Sequence, residues 1–161
     1  MEYQVQVKEA PARLVLAKRV TVEMRDLGPT IGRTLGEAYG HLGRAGIAPA
    51  GPPVVVYHDR LAEGERWDIE ICAPASHVGT PPSGFEFREL PGGRVVTTIH
   101  RGPYEAMEPA YRAMTEWMGE HDYECAGAPR EIYLTDPSTA PDDIETAIEW
   151  PVALVTTGVR G

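Results

Sequence analysis

A glutamate and a tyrosine two residues apart combine charge, hydrogen bonding and an aromatic face in one short segment. Glu131 and Tyr133 lie in the run Arg-Glu-Ile-Tyr-Leu, which is typical of a β-strand. Residues i and i+2 of a strand point to the same face of a sheet. A partly buried carboxylate beside a ring favours cationic, planar and apolar molecules, because a cation over a ring face gains about 0.5–2 kcal/mol. Spacing alone leaves a second interpretation open, in which Glu131 is solvated and paired with a lysine or arginine.

The surroundings of this pair occur twice in the chain. Residues 48–59 read APAGPPVVVYHD and residues 124–136 read ECAGAPREIYLTD, so that Tyr57 recurs as Tyr133, 76 positions later (133 minus 57). Val55 of the first copy becomes Glu131 in the second. A duplication into residues 1–76 and 77–161 predicts a pseudo-twofold axis and a cleft between the halves. A cleft on that axis receives both Tyr57 and Tyr133, but only one carboxylate.

Four further residues are candidates for the walls of this cleft. Tyr104 lies at the entrance to the second predicted helix, and tyrosine is common in pockets because one end of it is polar. Trp67 opens the last strand of the first half. Met107 lies on the apolar stripe of the helix and adapts to ligands of different shape, and His41 is the symmetry mate of Trp117. Core packing is the alternative interpretation for Tyr104, Met107 and His41.

No motif in the sequence indicates a metal site or a bound cofactor. The five histidines are scattered without the spacing of a helical metal motif, and Cys72 and Cys125 are isolated cysteines. Phosphate-loop, dinucleotide-binding and nucleophile-elbow motifs do not occur. We therefore expect neither a metal ion nor a cofactor.

The length and charge of the chain limit its class. Its 161 residues fit a single globular domain, and the formal net charge of −9 argues against nucleic-acid binding, which needs clustered lysine and arginine. The acidic surface is compatible with cationic ligands, although solubility alone also accounts for it. The N-terminal residues lack a signal-peptide core, and no apolar run is long enough to cross a membrane. We expect a cytoplasmic protein without a membrane partner.

Hydrophobic periodicity predicts the elements that must position these side chains. Two β-β-α-β-β units give an α+β fold, with an antiparallel sheet of about eight strands and two helices on one face. The helices are predicted at about 29–44 and 105–121, the second becoming regular near Glu108 because Pro109 is tolerated only in a first turn. A Gly/Pro-rich linker is predicted at 78–84 and a polar turn at 61–66. The predicted strands are 3–7, 13–22, 54–58, 67–73, 85–90, 94–100, 131–135 and 145–155.

Four segments of the chain resemble one known family. They are WDIEICAP at 67–74, HRGPYEAMEPAYRAMTEWM at 100–118, GAPREIYL at 127–134 and DDIETAIEWPV at 142–152. They resemble the GyrI-like small-molecule-binding domain, which is also the effector-binding module of bacterial multidrug-responsive regulators. The resemblance implies a duplicated fold with a ligand groove near the pseudo-twofold axis. It also implies an acidic residue in an aromatic pocket, which maps to Glu131.

The resemblance implies three functions. The first is binding of bulky aromatic, often cationic molecules. The second is hydrolysis of cyclopropane-bearing DNA-alkylating natural products, with Glu131 as general base and Tyr104 or Tyr133 positioning or protonating the reacting group. The third is a protein interaction like that of gyrase inhibitors. We expect a stand-alone domain, because the chain begins at its first predicted strand and leaves no room for a helix-turn-helix.

Overall fold

A computed structural model describes residues 3–60 and 66–155 of the chain. Apart from Arg66, the polar turn predicted at 61–66 lies outside the described residues. Within them the chain forms two α-helices, α1 (Leu27–Arg44) and α2 (Glu108–Glu120). The strands are β1 (Gln6–Ala10), β2 (Arg13–Glu23), β3 (Val54–Arg60), β4 (Arg66–Pro74), β5 (Glu86–Leu90), β6 (Gly93–Arg101), β7 (Tyr123–Cys125), β8 (Arg130–Tyr133) and β9 (Glu145–Leu154).

The order of the strands in the sheet is symmetrical. It runs β1-β6-β9-β8-β3-β4-β2-β5, with β7 attached to β9, and every pairing is antiparallel. Exchanging β1 with β5, β2 with β6, β4 with β9 and β3 with β8 reverses this order onto itself, so the pseudo-twofold axis lies between β3 and β8. Each half also gives one edge strand to the other half, since β1 pairs with β6 and β5 pairs with β2. The predicted α+β fold with two helices is confirmed.

Both helices begin and end in related ways. A turn of 3-10 helix precedes each of them, at Met24–Asp26 and at Tyr104–Ala106, so the helix predicted at 105–121 is interrupted at Met107. Beyond each helix one residue adopts a left-handed conformation, Gly46 (φ 70°) after α1 and Asp122 (φ 62°) after α2. Glycine enters this region without steric cost, and aspartate is among the few other residues that tolerate it. The duplication therefore preserved the conformation while the residue type changed.

Helix α1 carries glycine at every fourth position of its outer side. Gly28, Gly32 and Gly36 have open space where a Cβ would stand. Each interior glycine lowers helix stability by about 1 kcal/mol relative to alanine. The opposite side of α1 buries Ala38 and Leu42 against the sheet. Packing on the sheet, rather than helix propensity, therefore stabilises α1.

Apolar residues cover both faces of the curled sheet. On the helix face, Leu16 packs below α1, and Val96 and Ile148 pack below α2. On the opposite face, side chains from both halves form a second cluster (Val15, Ala17, Val54, Val56, Cys72, Leu90 and Ile132). Because both faces are covered, polar side chains on the central strands are withdrawn from water and need partners.

Two buried carboxylates on the face away from the helices are paired with basic side chains. Glu149 accepts two hydrogen bonds of 3.0 Å from Arg13 and one of 3.0 Å from Arg130. Glu70 is bonded by Arg88 at 2.6 Å and by His58 at 2.9 Å. Burial alone raises the pKa of each carboxyl, but these partners outweigh it and hold both pKa values below the ordinary range.

Among the strands, β1 and β7 also differ from the sequence-based expectation. Strand β1 spans Gln6–Ala10 rather than residues 3–7, and its pairing with β6 runs from Gln6 opposite Thr97 to Ala10 opposite Gly93. Strand β7 was not predicted, since its three residues are too few to show an alternating pattern; it forms because it pairs with the end of β9. Among the described residues, no helix is long and apolar enough to span a bilayer.

We predict that Glu149→Gln destabilises the fold by about 3 kcal/mol or more, because two arginines lose their shared buried partner. The lowered pKa of Glu149 means that its contribution is present above the ordinary glutamate pKa and disappears as pH falls through the lowered value. Urea denaturation at pH 7 measures the loss. Glu116→Gln, on the exposed side of α2, is the matched control and should change the free energy of unfolding by less than about 0.5 kcal/mol. Equal stability of the two variants would contradict the prediction.

Candidate functional site

Glu131 lies on the symmetry axis of the sheet. Strand β8 pairs with β3 so that Glu131 stands directly opposite Val55. These are the two residues that the duplication relates, 76 positions apart (131 minus 55), so the axis passes through this pair. Both side chains point to the helix face, where Val55 packs with Ile69 and Ile71. The carboxylate thus occupies the centre of the sheet.

Tyrosine hydroxyls surround the Glu131 carboxylate. Tyr111 of α2 donates to Oε2 at 2.7 Å, and Tyr133 donates to Oε1 at 3.0 Å. The hydroxyl of Tyr57 lies 3.1 Å from that of Tyr133. Because Tyr133 uses its only proton on Glu131, Tyr57 donates to Tyr133. The result is a directed chain from Tyr57 through Tyr133 to Glu131, joined from the other side by Tyr111.

Aromatic rings from both halves enclose this group, which we call the tyrosine cluster (Tyr57, Tyr104, Tyr111, Glu131 and Tyr133). Trp67 of β4 meets the ring of Tyr57 edge-on, with centroids 5.5 Å apart. Tyr104 meets Tyr133 in the same way, also at 5.5 Å. Helix α1 closes the first-half side with three aliphatic side chains (Leu27, Ile31 and Leu35). Tyr104 is 46% exposed, so the cluster reaches solvent at the start of α2.

The charge of Glu131 has no basic partner within salt-bridge distance in the described part of the chain. Its side chain is buried, with 8% exposure. Burial raises the pKa of this carboxyl, and hydrogen bonds from Tyr111 and Tyr133, with Tyr57 behind Tyr133, lower it only in part. Burial likewise raises the pKa of these three tyrosines well above the usual value, so they remain proton donors at physiological pH. Glu131 therefore differs from Glu70 and Glu149, whose pKa values are lowered by basic partners.

Two of the residues proposed from the sequence have their main contacts elsewhere. Met107 is buried in the core below α2, where it packs with Val96 and Ala110. His41 donates from Nε2 to the carbonyl oxygen of Thr80 at 2.7 Å, in the linker between the halves. Met107 thus packs in the core, and His41 contacts the linker. The other five proposed residues come together in the structure: Glu131, Tyr133, Tyr57, Tyr104 and Trp67.

Tyr111 belongs to the tyrosine cluster but was not among the residues proposed from the sequence. It lies on the apolar stripe of α2, where a tyrosine is expected to pack, and its ring does meet Trp150 edge-on at 5.7 Å. The duplication held a signal, because the equivalent residue of α1 is Leu35, which carries no hydroxyl. Helix α2 has a tyrosine hydroxyl where α1 has an aliphatic side chain, and β8 has a carboxylate where β3 has a valine. Two such differences in the same half of the chain indicate that Tyr111 and Glu131 contact each other.

A separate cavity of about 270 Å³ lies at the loop that precedes β3. Its lining includes Gly51, Pro52, Pro74 and Ile132, and its charged member, Arg13, is already bound to Glu149. No group of three or more potential metal ligands occurs among the described residues. The tyrosine cluster is therefore the stronger candidate site.

A model of the GyrI-like small molecule binding domain matches residues 3–153. The chain belongs to this family. EcmrR is one similar protein of known structure. Its C-terminal domain is 28% identical with a TM-score of 0.80, and the alignment covers 96% of this GyrI-like chain and 100% of that domain. In the EcmrR–DNA complex the identity is 26% and the TM-score 0.84, over 95% of this chain and 58% of that one, so the chain spans little more than half of EcmrR.

Two more distant structures show the same fold. A hydrolase encoded by lin2189 from Listeria innocua is 14% identical, with a TM-score of 0.70 over 93% of this chain and 92% of that one. SAV2435 bound to tetraphenylphosphonium is 16% identical, with a TM-score of 0.58 over 95% of this chain and 94% of that one. Sequence identities this low show that the fold is shared and nothing further. No curated protein matches the chain.

We predict that Tyr111→Phe raises the pKa of Glu131 further, because the change removes a hydrogen bond that favours the charged carboxylate. A carbon-13 NMR titration of the glutamate side-chain carboxyls measures this, with the Glu131 signal assigned by its loss in Glu131→Gln. Tyr39→Phe is the matched control on α1, since the Tyr39 hydroxyl donates to the carbonyl of Gly51 rather than to Glu131. An unchanged or lowered Glu131 pKa in Tyr111→Phe would count against the hydrogen-bonded network.

Proposed function

We propose that this GyrI-like domain binds bulky aromatic cations at the tyrosine cluster, with Glu131 as the charge partner. The observation that carries the proposal is a buried carboxylate whose neighbours are hydroxyls and rings. An ionised group in such surroundings is held at a cost, and a cation placed beside it offsets that cost. The structural neighbour SAV2435 is bound to tetraphenylphosphonium, an aromatic cation, which makes this molecule a suitable probe.

The ring arrangement supports ligands of more than one shape. Aromatic faces come from β3, β8, α2 and the turn before α2, and Trp67 adds another from β4. Rings bind flat apolar surfaces without a fixed hydrogen-bond pattern, and they attract cations by about 0.5–2 kcal/mol each. We therefore expect the site to select ligands by their positive charge and flat aromatic surfaces rather than by a particular pattern of hydrogen-bonding groups. The net charge of −9 supports the further proposal that this domain does not itself bind nucleic acid.

We predict that Glu131→Gln weakens the binding of tetraphenylphosphonium by about 1–3 kcal/mol, roughly 5- to 150-fold, the range of a contact to a charged group. Isothermal titration calorimetry measures both dissociation constants. Triphenylphosphine oxide is the neutral ligand control, and its affinity should not depend on this charge. Glu116→Gln is the protein control, because it removes one negative charge from the exposed side of α2. The same dissociation constant for tetraphenylphosphonium in wild type and Glu131→Gln would refute the proposed role.

We predict that binding of the cation also depends on pH. Burial raises the pKa of Glu131, so the carboxyl takes up a proton at a higher pH than an ordinary glutamate. Affinity for tetraphenylphosphonium should decrease as pH falls through this raised value and should stay nearly flat over the same range in Glu131→Gln. Parallel pH profiles for the two proteins would show that another group is responsible.

A second candidate function is hydrolysis at the same cluster. The observation in its favour is that a carboxyl with a raised pKa is a stronger base, and tyrosine hydroxyls that stay protonated can return a proton. Glu131 would take a proton from water as the water oxygen bonds to one carbon of a strained ring. The bond from that carbon to its ring neighbour would break, the neighbouring carbon would take a proton from Tyr104 or Tyr133, and the proton held by Glu131 would then return to the tyrosine oxygen. Cyclopropane-bearing alkylating compounds are the substrates that fit this scheme.

We predict for this second function that incubation with such a compound gives a ring-opened product heavier by one water molecule, detected by mass spectrometry. The rate should fall by roughly 10²-fold or more in Glu131→Gln, which is the contribution of a general base. Recovery of unchanged compound from wild type that binds it would exclude the enzyme and leave the binding function in place. A gyrase-inhibitor-like interaction stays a prediction of the sequence.

A further inference from the structure

The hydroxyl of Thr146 lies in the helix face of the sheet beside the tyrosine cluster. Strand β9 pairs with β8 so that Thr146 stands opposite Tyr133, and with β6 so that it stands opposite His100. Its side chain is on the same face as Ile148, which packs below α2. Thr146 is fully buried, and its Oγ1 is the one buried side-chain oxygen or nitrogen in the described part of the chain without a hydrogen-bond partner.

Both neighbours of Thr146 use their polar atoms elsewhere. Tyr133 donates to Glu131 and receives the proton of Tyr57. His100 donates from Nε2 to the carbonyl oxygen of Pro103 at 3.0 Å, and its Nδ1 accepts from the hydroxyl of Tyr3 at 2.8 Å. Neither therefore has a free proton to donate to Thr146, and neither forms a hydrogen bond with its hydroxyl. Burying a polar group without a partner is unfavourable, so an unpaired hydroxyl at this position indicates a role beyond packing.

Valine would fill the same space as Thr146 without an unpaired hydroxyl. Elsewhere on this face the chain does pair such groups, since Thr98 of β6 is buried and donates to the carbonyl of Gln4 at 2.8 Å. The turn that holds Tyr104 is joined to His100 through Pro103, and the ring of Tyr104 rests on Tyr133. Thr146 therefore lies on the side of the cluster where Tyr104 reaches solvent.

We propose that the Thr146 hydroxyl is a second polar contact of the site and hydrogen-bonds an oxygen or nitrogen of the bound ligand. The inference rests on the proposed function, because it takes the same ligand. Thr146 is two residues along β9 from Ile148, the register partner of Glu131, so Glu131 and Thr146 are diagonal neighbours on adjacent strands, about 7–8 Å apart. The preferred ligand is thus an aromatic cation with a hydrogen-bonding group about that far from its charge.

Two phosphonium probes that differ by one hydroxyl test the inference. Tetraphenylphosphonium has no hydrogen-bonding group, and (4-hydroxyphenyl)triphenylphosphonium adds one at the edge of a ring. Calorimetric titration gives the ratio of their affinities for each protein, and this ratio cancels effects that are common to both probes. In Thr146→Val the preference for the hydroxylated probe should be lower than in wild type by about 2- to 10-fold, the value of one hydrogen bond. Thr146→Ser, which keeps the hydroxyl, should retain the wild-type ratio.

Thr98→Val is the matched control on the neighbouring strand. It should lower the melting temperature, because the carbonyl of Gln4 loses its partner, and it should leave the ratio of affinities unchanged. Thr146→Val should melt at the wild-type temperature or above it, because no bond is lost. A Thr146→Val protein as destabilised as Thr98→Val would show that the hydroxyl is already paired and would overturn the inference.

The inference and the proposed function fail in different ways. Equal affinity ratios in wild type and Thr146→Val, with tetraphenylphosphonium still bound through Glu131, would overturn the Thr146 contact alone. Absence of tetraphenylphosphonium binding to wild type would overturn the proposed function, and the Thr146 contact with it.

Discussion

The interaction on which the site depends is a buried carboxylate held by tyrosine hydroxyls rather than by a basic side chain. Tyr111 and Tyr133 donate to the two oxygens of Glu131, and Tyr57 stands behind Tyr133, but none of these hydroxyls brings a positive charge. The other two buried carboxylates of the described residues, Glu70 and Glu149, are neutralised by arginine. Elsewhere in this fold a basic side chain pairs with each buried carboxylate, whereas no basic side chain in the described part of the chain forms a salt bridge with Glu131 at the centre of the sheet. A negative potential is thereby kept at a position that aromatic rings surround.

Sheet topology explains why this charge lies where both halves meet. The register between β3 and β8 puts position 131 opposite its own symmetry mate. Rings carried at equivalent positions of the two halves, Tyr57 and Tyr133, then fall on either side of the axis and bond to each other. The helices flank the same line, α1 with aliphatic side chains and α2 with Tyr111. One pairing register therefore positions the charge, the rings and the two walls.

Some features of this arrangement could be predicted from the sequence, and others could not. The duplication, the strand alternation and the difference between Val55 and Glu131 are visible in the sequence, and they predicted the α+β fold and the axis. The place of Glu131 in an aromatic pocket was implied by the family resemblance. Tyr111 and Thr146 could not be found this way, because each occupies an ordinary position in its own element. Both depend on contacts between different elements. Tyr111 of α2 donates to Glu131 of β8, and Thr146 of β9 lies between residues of β6 and β8 that do not pair with its hydroxyl. Strand β7 was missed for a related reason, since its pairing with β9 defines it.

The position of the symmetry axis has a consequence for how such a site can arise. In a dimer of two identical single copies, the residue on the axis faces itself. A glutamate there would meet a second glutamate across one pair of strands, and the two like charges would repel and drive one of them to bind a proton. Once two copies are fused in one chain, each can mutate alone, and a single carboxylate can stand against a valine. Gene fusion is thus what permits an unpaired charge at the centre of this sheet.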